Sequence, residues 1–302
     1  MPCSRITDLE KFAGALSTGA TLELYLTPKP GLVDRADNGS HPDLSLATME
    51  RSIAQIDDYL GQIVGSLVSG APFSEQRQIA VAAEQRLVAT LSTNTHKGYI
   101  FLSGMLLIAR WHAASTSEAA LRESFSTRAA AFFATRAASA SNGQRAREKY
   151  GASGIIRESI AGLPAVFEQA LPAFRRTLGA RGCLQTASFA LLARLMQCVE
   201  DTTTLHRAGP PGLARIQTDG RRLEELIAGG EDPAAWLAEL NRSYVSVNIT
   251  MGGVADMLGI AYSWLIVGGE IVEFAGETQR GRLAGFCDND RSRTTLFAKC
   301  TI

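Results

Sequence analysis

The sequence has few cysteines, no secretory signal and no long apolar run, and each of these shortages excludes a class of protein. Its five cysteines are scattered along 302 residues without metal-type spacing, so we expect reduced thiols in a cytoplasmic protein. The longest apolar stretch, MLGIAYSWLIVGG, is too short to cross a bilayer. The sequence therefore predicts no membrane segment.

The chain also lacks a net charge and the common nucleotide-binding motifs. Lys plus Arg and Asp plus Glu both total 30, so no overall field favours binding to nucleic acid or to an acidic membrane surface. Neither a Walker-type loop nor a G-x-G-x-x-G fingerprint is present, which excludes P-loop and Rossmann designs. Any nucleotide site must be built in another way. The sequence leaves the oligomeric state open.

Helical periodicity runs through nearly the whole chain. In LEKFAGALSTGATLELYL, apolar residues recur at spacings of three and four: Leu9, Phe12, Leu16, Ala20 and Leu24. The only strand candidates are YVSVNIT and GEIVEF, from residues 244 and 269. We predict an all-α protein with a single multi-helix domain over residues 1–268, polar active-site loops between helices, and a polar tail over 269–302.

Five polar loops separate these helices and hold most of the rare cationic residues. The loops are TPKPGLVDRADNGSHPD (27–43), TNTHKG (93–98), EKYGASGIIRES (148–159), EDTTTLHRAG (200–209) and TMGGVAD (250–256). They contain three of the five lysines and three of the four histidines. Surface solvation alone would spread these residues more evenly, so the pattern favours a shared site.

Three of the loops lead into a predicted helix, and helix N-termini bind phosphate through free amides and a partial positive charge. We therefore expect TNTHKG, GASG and TMGG to hold phosphates, as a metal–polyphosphate site requires. Loop residues expected to bind them are Thr93, Asn94, Thr95, Gly154, Gly252 and Gly253. Cationic residues expected to add charge are Lys29, Arg35, Lys97, Arg157 and Arg207.

Acidic residues in the same loops predict a Mg2+ site, because Mg2+ binds through a few carboxylates plus substrate phosphates. The candidate ligands are Asp34, Asp43, Glu158, Asp201 and Asp256. Two of them have a simpler alternative. Asp43 and Asp201 each precede a predicted helix, and either carboxylate is suited to cap that helix.

The loop sequences resemble, in the same order, the motifs of the triphosphoribosyl-dephospho-CoA synthases. The matching segments are LELYLTPKPGLVDRADNGSHPDL, TNTHKGYIF, YGASGIIRES, DTTTLHRAG and GGVADML, within residues 16–265. Enzymes of that family make the prosthetic-group precursor of citrate lyase and of malonate decarboxylase. The polar tail is not covered by the resemblance.

The resemblance implies a transferase reaction between ATP and 3′-dephospho-CoA. The 2′-hydroxyl of dephospho-CoA attacks the ribose C1 of ATP, adenine leaves, and the triphosphate stays on the transferred sugar. Carboxylates suit this chemistry, because one can stabilise an oxocarbenium-like transition state while another takes the hydroxyl proton. The candidate catalytic residues are Asp34, His41, Asp43, His96 and Asp201, with Mg2+ expected to accompany ATP.

The chain departs from the family pattern at three loops. The usual Ser-Pro before the last Gly-Gly is Thr250-Met251, the usual Arg-Gly-Gly is Arg207-Ala208-Gly209, and an Arg-Gly-Glu is reduced to Arg157-Glu158. Two alternatives therefore stay open. One is a phosphoribosyl-type transferase with another acceptor, for example in tetrahydromethanopterin biosynthesis, which could use phosphoribosyl pyrophosphate as its donor. The other is a catalytically lapsed nucleotide-binding protein.

Overall fold

The structure is a computed structural model that describes residues 2–93, 95–135 and 142–271. These residues form twelve α-helices and no β-strand, which confirms the all-α prediction. The helices are α1 (Pro2–Tyr25), α2 (Leu46–Val68), α3 (Phe73–Leu91), α4 (Lys97–His112), α5 (Glu118–Thr135), α6 (Asn142–Tyr150), α7 (Ile155–Ile160), α8 (Leu171–Arg181), α9 (Leu184–Cys198), α10 (Thr202–Gly229), α11 (Ala234–Ser246) and α12 (Gly252–Val267). A π-helical turn, Ala165–Ala170, leads into α8. Among the described residues, no helix is long and apolar enough to cross a membrane.

One strand candidate was wrong. The first residues of YVSVNIT complete α11, since Tyr244 continues the buried spacing of Leu237 and Leu240, and the chain then turns with Asn248 at a φ of 56°. The other candidate, GEIVEF, lies outside the described residues from 272 onward, as does most of the predicted tail.

The core forms around α1 and α12. The predicted apolar stripe of α1 is buried: Leu9, Phe12, Leu16, Ala20 and Leu24 are all at most 2% exposed. α12 packs along α1, and the two backbones come very close at Gly19. A Cβ placed there would lie 2.4 Å from the carbonyl oxygen of Gly259, so a larger residue would force the helices apart. Glu23 lies one turn beyond Gly19, and Asp256 lies one turn before Gly259. The close approach therefore brings these two acidic residues into one region.

α10 is two helical segments joined at Gly209. That residue has a φ of 66° and a ψ of −170°, a conformation that glycine adopts without steric cost. Pro210 and Pro211 follow, where a first helical turn tolerates residues that lack an amide donor. The short first segment carries Arg207, and the second packs against α9.

Asp201 joins the starts of α10 and α12. Its Oδ1 accepts hydrogen bonds from the amides of Thr203 and Thr204, both at 2.9 Å, and its Oδ2 accepts one from the amide of Val254 at 2.9 Å. The residue is 1% exposed. Of the two alternatives for Asp201, the helix cap is therefore the one that the structure shows, and it caps two helices at once.

We predict that Asp201→Ala destabilises the fold by about 3–5 kcal/mol, because three buried amides lose their acceptor and each costs roughly 1–3 kcal/mol when left unpaired. Asp232→Ala is the matched control, since exposed Asp232 accepts from one amide at the start of α11; we expect a loss of about 1 kcal/mol or less. Urea unfolding measures both. Equal losses in the two variants would contradict the double-cap account.

Candidate active site

Three of the five polar loops meet at one small cavity of about 70 Å³. Its polar lining comes from four separate segments of the chain, and its remaining wall is mostly apolar. The polar side chains are Glu23, His41, Thr95, His96 and Asp256. The loops 148–159 and 200–209 contribute no residue to this lining. His41, His96, Thr95, Gly252 and Asp256 are thus predicted site residues that the structure brings together.

Glu23 is the lining residue that sequence reasoning missed. It forms an ion pair with Lys29, whose ammonium also donates to the carbonyl oxygen of Glu23 at 2.6 Å. Both side chains are buried, and that of Lys29 is 1% exposed. Burial raises the pKa of Glu23, while Lys29 acts in the opposite direction. The prediction that Lys29 binds phosphate needs correction, because its ammonium is used inside the protein.

Asp34 holds its own loop closed and does not line the cavity. Its Oδ2 accepts from the amide of Lys29 at 2.8 Å, and its Oδ1 accepts from the amides of Ala36 and Asp37 at 2.6 and 3.2 Å. Burial raises the pKa of Asp34, and these amides oppose the shift. Asp34 thus has a structural role, since it fixes its loop and the backbone of Lys29, while its catalytic and metal-binding roles stay predictions.

His96 has one ring nitrogen fixed and one without a partner among the described residues. Nδ1 lies 2.6 Å from the Oγ of Ser52, which also contacts the hydroxyl of Thr95. Nε2 is buried and makes no hydrogen bond. Burial, and then the charge of Lys29, lower the pKa of His96 to about 4. The imidazole is therefore neutral at pH 7 and has one nitrogen available to a ligand in the cavity.

His41 closes another side of the cavity. Its Nε2 lies 2.7 Å from the hydroxyl of Thr250, and Arg207 approaches its Nδ1 at 3.4 Å. Arg207 also donates to the carbonyl oxygen of Ser40 at 2.7 Å and to Asn248 at 3.1 Å. Burial, and then Arg207, lower the pKa of His41 to about 4. Arg207 thus holds the loop 27–43 against the loop before α12. Arg207 belongs to Arg207-Ala208-Gly209, one of the segments that depart from the family pattern.

Asp256 lies at the N-terminus of α4. Its carboxyl accepts from the amide of Tyr99, and a Cβ on Gly98 would lie 2.0 Å from its Oδ2. Only glycine at position 98 leaves room for this arrangement. Desolvation, followed by repulsion from Glu23 and from Asp201, raises the pKa of Asp256 well above its ordinary value. These surroundings therefore favour the protonated form of its carboxyl.

Each of the three predicted phosphate-binding helix starts is occupied by a carboxylate or carboxyl group. Asp256 accepts a hydrogen bond from an amide at the start of α4, and Asp201 accepts one from an amide at the start of α12. At α7, Glu200 accepts from the amides of Ser153 and Gly154 at 2.7 and 2.8 Å. The amides of Gly154 and Gly253 are bonded to Glu200 and Asp201, which corrects the expectation that these two residues present free donors to phosphate.

Several other predicted residues lie away from the cavity. Arg157 is 67% exposed and 3.9 Å from Glu200, and Glu158 accepts from the amide of Ala165 at 3.2 Å. Arg35 is exposed, with its guanidinium 6.0 Å from the ring of Tyr25. The structure brings none of these three to the cavity lining.

Four predicted residues remain, and none of the three that the structure describes lines the cavity. Exposed Asp43 accepts a hydrogen bond from the hydroxyl of Thr93 at 2.8 Å. The alternative that Asp43 caps the next helix is wrong, since Ser45 caps α2. Lys97 pairs with Glu84 at 2.9 Å and is 43% exposed. Asn94 lies outside the described residues.

The acidic residues predicted to bind Mg2+ are not gathered into one centre. Within the part of the chain that the structure describes, no group of three or more His, Cys, Asp and Glu side chains is placed to hold a metal ion. The oxygens of Asp34 and Asp201 are used by backbone amides, and Glu158 lies elsewhere. The residues present therefore do not form a preassembled metal site.

Comparison with known proteins places the chain in a family. A family model described as ATP:dephospho-CoA triphosphoribosyl transferase (CitG) matches residues 9–270. The chain belongs to this family. It is 31% identical over 279 residues to a probable 2-(5″-triphosphoribosyl)-3′-dephosphocoenzyme-A synthase of Pectobacterium carotovorum, covering 87% of this chain and 90% of that protein.

Two other relatives carry the same name. The 2-(5″-triphosphoribosyl)-3′-dephosphocoenzyme-A synthase of Pectobacterium atrosepticum is 34% identical over 82% of this chain and 85% of its own length. The probable synthase of Azotobacter vinelandii is 35% identical over 83% and 89%, respectively. No solved structure matches the chain. The family membership suggested by the loop motifs is confirmed, and the cavity is the candidate active site of this triphosphoribosyl transferase family member.

We predict that buried neutral His96 makes stability depend on pH. Its pKa is 6.5 in an unfolded chain and about 4 in the fold, so the unfolded state binds more protons between these values and stability falls as the pH falls. Between pH 7 and pH 5 this contributes a loss of about 2 kcal/mol.

The measurement is urea unfolding at both pH values for the parent protein and His96→Gln, which should lose about 2 kcal/mol less on acidification. His206→Gln, at an exposed position on α10, controls for removal of an imidazole. An identical pH dependence in the parent and in His96→Gln would show that His96 is not held neutral by the fold.

Proposed function

We propose that this protein transfers the triphosphoribosyl group of ATP to the 2′-hydroxyl of 3′-dephospho-CoA and releases adenine. Family membership and the names of relatives that cover most of the chain support this reading. The structural observation that carries it is the meeting of Glu23, His96 and Asp256, from three separate segments, in one cavity. A pair of carboxyl groups suits glycosyl transfer, and a neutral imidazole can add a hydrogen bond to the substrate.

The reaction needs no oxidant or reductant. The hydroxyl oxygen of dephospho-CoA forms a bond to C1 of the ribose, and the bond from C1 to adenine breaks with its electron pair leaving on the base. One proton leaves the attacking hydroxyl, and one proton is taken up by adenine. The triphosphate remains on the sugar. The substrates are ATP and dephospho-CoA, and we accordingly place the protein in the cytoplasm.

We propose that ATP enters as its Mg2+ complex. The described residues offer no preassembled metal site, so the ion is held mainly by triphosphate oxygens, as is common for Mg2+. Of the predicted acidic ligands, Asp43 is exposed and close enough to His41 to influence its pKa. Asp43 is therefore the carboxylate suited to meet the ion. When bound, Mg2+ supplies positive charge that holds the triphosphate in place.

Binding of these substrates requires the cavity to open. A volume of about 70 Å³ is well below the roughly 300–1,000 Å³ of common ligand pockets. The loop 27–43 forms one side of the cavity, and TNTHKG forms another. We therefore propose that these loops separate when ATP binds and that the contacts of Arg207 with Ser40 and Asn248 limit the movement.

The direct test is adenine release from ATP, followed by chromatography with and without dephospho-CoA and with EDTA added. We expect adenine and a triphosphoribosylated acceptor only when dephospho-CoA and free Mg2+ are both present. Adenine release with a pterin-type acceptor and not with dephospho-CoA would overturn the acceptor assignment. ATP binding without adenine release under any of these conditions would show a binding protein that has lost catalysis.

We predict that Lys97→Ala weakens ATP use about 10- to 100-fold, the effect of losing one charge-assisted bond of about 1.5–3 kcal/mol. Lys97 begins α4 beside His96, and its ammonium is partly exposed. Stability should change by no more than about 1 kcal/mol, since an exposed ion pair contributes little.

Lys11→Ala is the matched control, because Lys11 is exposed on α1 and is not part of any of the five loops. Calorimetric titration with ATP and the adenine assay should separate the two variants. If Lys97→Ala and Lys11→Ala bind ATP equally well, the TNTHKG segment serves only to start α4.

A further inference from the structure

Glu23 and Asp256 line the same cavity but lie in different electrostatic surroundings. Glu23 has a buried ammonium as its partner. No ion pair involving Asp256 forms among the residues that the structure describes, and its carboxyl is repelled by Glu23 and Asp201. Two carboxyl groups whose surroundings favour opposite protonation states are what an acid–base reaction needs.

The Glu23–Lys29 pair is costly for stability, which points to a use in chemistry. Removing two charges from water costs several kcal/mol per ion, and well-packed apolar residues of similar size often serve stability better. Yet Glu23 occupies a position on the apolar stripe of α1, three residues after buried Ala20. Lys29 is in turn held by its backbone bond to Asp34. The pair therefore places a carboxyl group with a buried ammonium partner at the cavity, and that ammonium favours the ionised form of Glu23.

Asp256 is arranged in the opposite way. Its carboxyl accepts a hydrogen bond from the amide of Tyr99 and fills the space that the missing side chain of Gly98 leaves. Of the charged groups around it, Glu23 on α1 and Asp201 before α10 are both acidic. A protonated carboxyl relieves this repulsion and retains a hydrogen that it can donate.

His96 supplies a third observation that a ligand belongs here. The residue lines the cavity, and its Nε2 is buried and has no partner among the described residues. A buried polar atom without a hydrogen bond costs free energy, and a substrate atom in the cavity would relieve that cost. The unsatisfied nitrogen therefore indicates that a polar part of the substrate binds beside His96.

We propose that Glu23 accepts the proton of the attacking hydroxyl and that Asp256 donates a proton to the departing adenine. This assignment rests on the proposed transferase function. As the hydroxyl oxygen bonds to C1, its proton passes to the carboxylate of Glu23. As the bond from C1 to the base breaks, adenine takes the electron pair and the proton of Asp256. The two carboxyl groups end with their protonation states exchanged, and solvent restores them after product release.

A donor that does not need an acid separates the two roles. In 7-methyl-ATP the base carries a fixed positive charge and leaves without being protonated. Asp256→Asn keeps an oxygen that can accept from Tyr99, so its fold should persist. Glu23→Gln alone leaves Lys29 buried without its partner, so the variant to test is Glu23→Gln combined with Lys29→Met, which removes both charges and keeps similar volumes.

We expect Asp256→Asn to lose about 10²- to 10⁴-fold in kcat with ATP and less than about tenfold with 7-methyl-ATP. The Glu23→Gln, Lys29→Met variant should lose a similar factor with both donors, since the attacking hydroxyl is the same. Melting temperatures and ATP titrations check that each variant folds and binds nucleotide.

Two outcomes would overturn the assignment. One is an equal loss with both donors for Asp256→Asn. The other is near-parental activity in the variant that lacks the Glu23 carboxylate. The parent protein is assayed alongside with ATP and dephospho-CoA. If the parent releases adenine while the variants behave otherwise than expected, only the acid–base assignment fails. If the parent releases none, the proposed function fails, and the assignment fails with it.

Discussion

Buried carboxylates that accept backbone amides fix the polar loops of this protein, and the cavity depends on them. Asp201 accepts hydrogen bonds from three backbone amides at the starts of two helices. Asp34 accepts three such bonds within its loop, and Glu200 accepts two before α7. Helix N-termini carry partial positive charge, which offsets part of the cost of burying an ionised group. The loops are therefore held in place by internal carboxyl groups together with buried apolar residues such as Leu32, Val33 and Met251.

This constraint explains which sequence predictions were correct. The spacing of apolar residues directly indicates helices. The helices α1, α4 and α12 accordingly lie where this spacing predicts them. The sequence also indicates that TNTHKG and TMGGVAD share a site, because rare residue types gather in them. The partner of each helix start could not be predicted, because it is decided by a side chain distant in sequence. Glu200 at the GASG loop and Asp256 at Tyr99 are both of this kind.

Glu23 shows a signal that sequence reasoning can use. It lies on the same face of α1 as the buried residues Leu16 and Ala20. Charged residues are almost never fully buried at such positions unless they are paired. Lys29 lies six residues further on, past the end of α1, and only the closed loop held by Asp34 brings its ammonium back to Glu23. An acidic residue on an apolar stripe, followed by a turn with a lysine, thus indicates a buried pair even where the pairing geometry is unknown.

Lys29 favours the charged form of one of the two cavity carboxyl groups, and neighbouring acids favour the neutral form of the other. The buried ion pair and the unpaired nitrogen of His96 both cost free energy of folding. A cavity with a purely structural role would have no use for either. Gly19 and Gly98 allow the close approaches on which the arrangement rests, since a Cβ at either position would collide with a neighbouring atom. Electrostatic difference between neighbouring groups, rather than a preassembled metal site, is therefore the central feature of this cavity.

Infrared spectroscopy tests that feature most directly, because a protonated carboxyl has a carbonyl stretch distinct from the bands of a carboxylate. Spectra of the parent protein and Asp256→Asn at pH 7, without ligand, give the difference due to one side chain. The account predicts a protonated-carboxyl band in the parent protein that is missing in Asp256→Asn. A difference spectrum showing loss of carboxylate bands instead would mean that Asp256 is ionised, and would contradict the account.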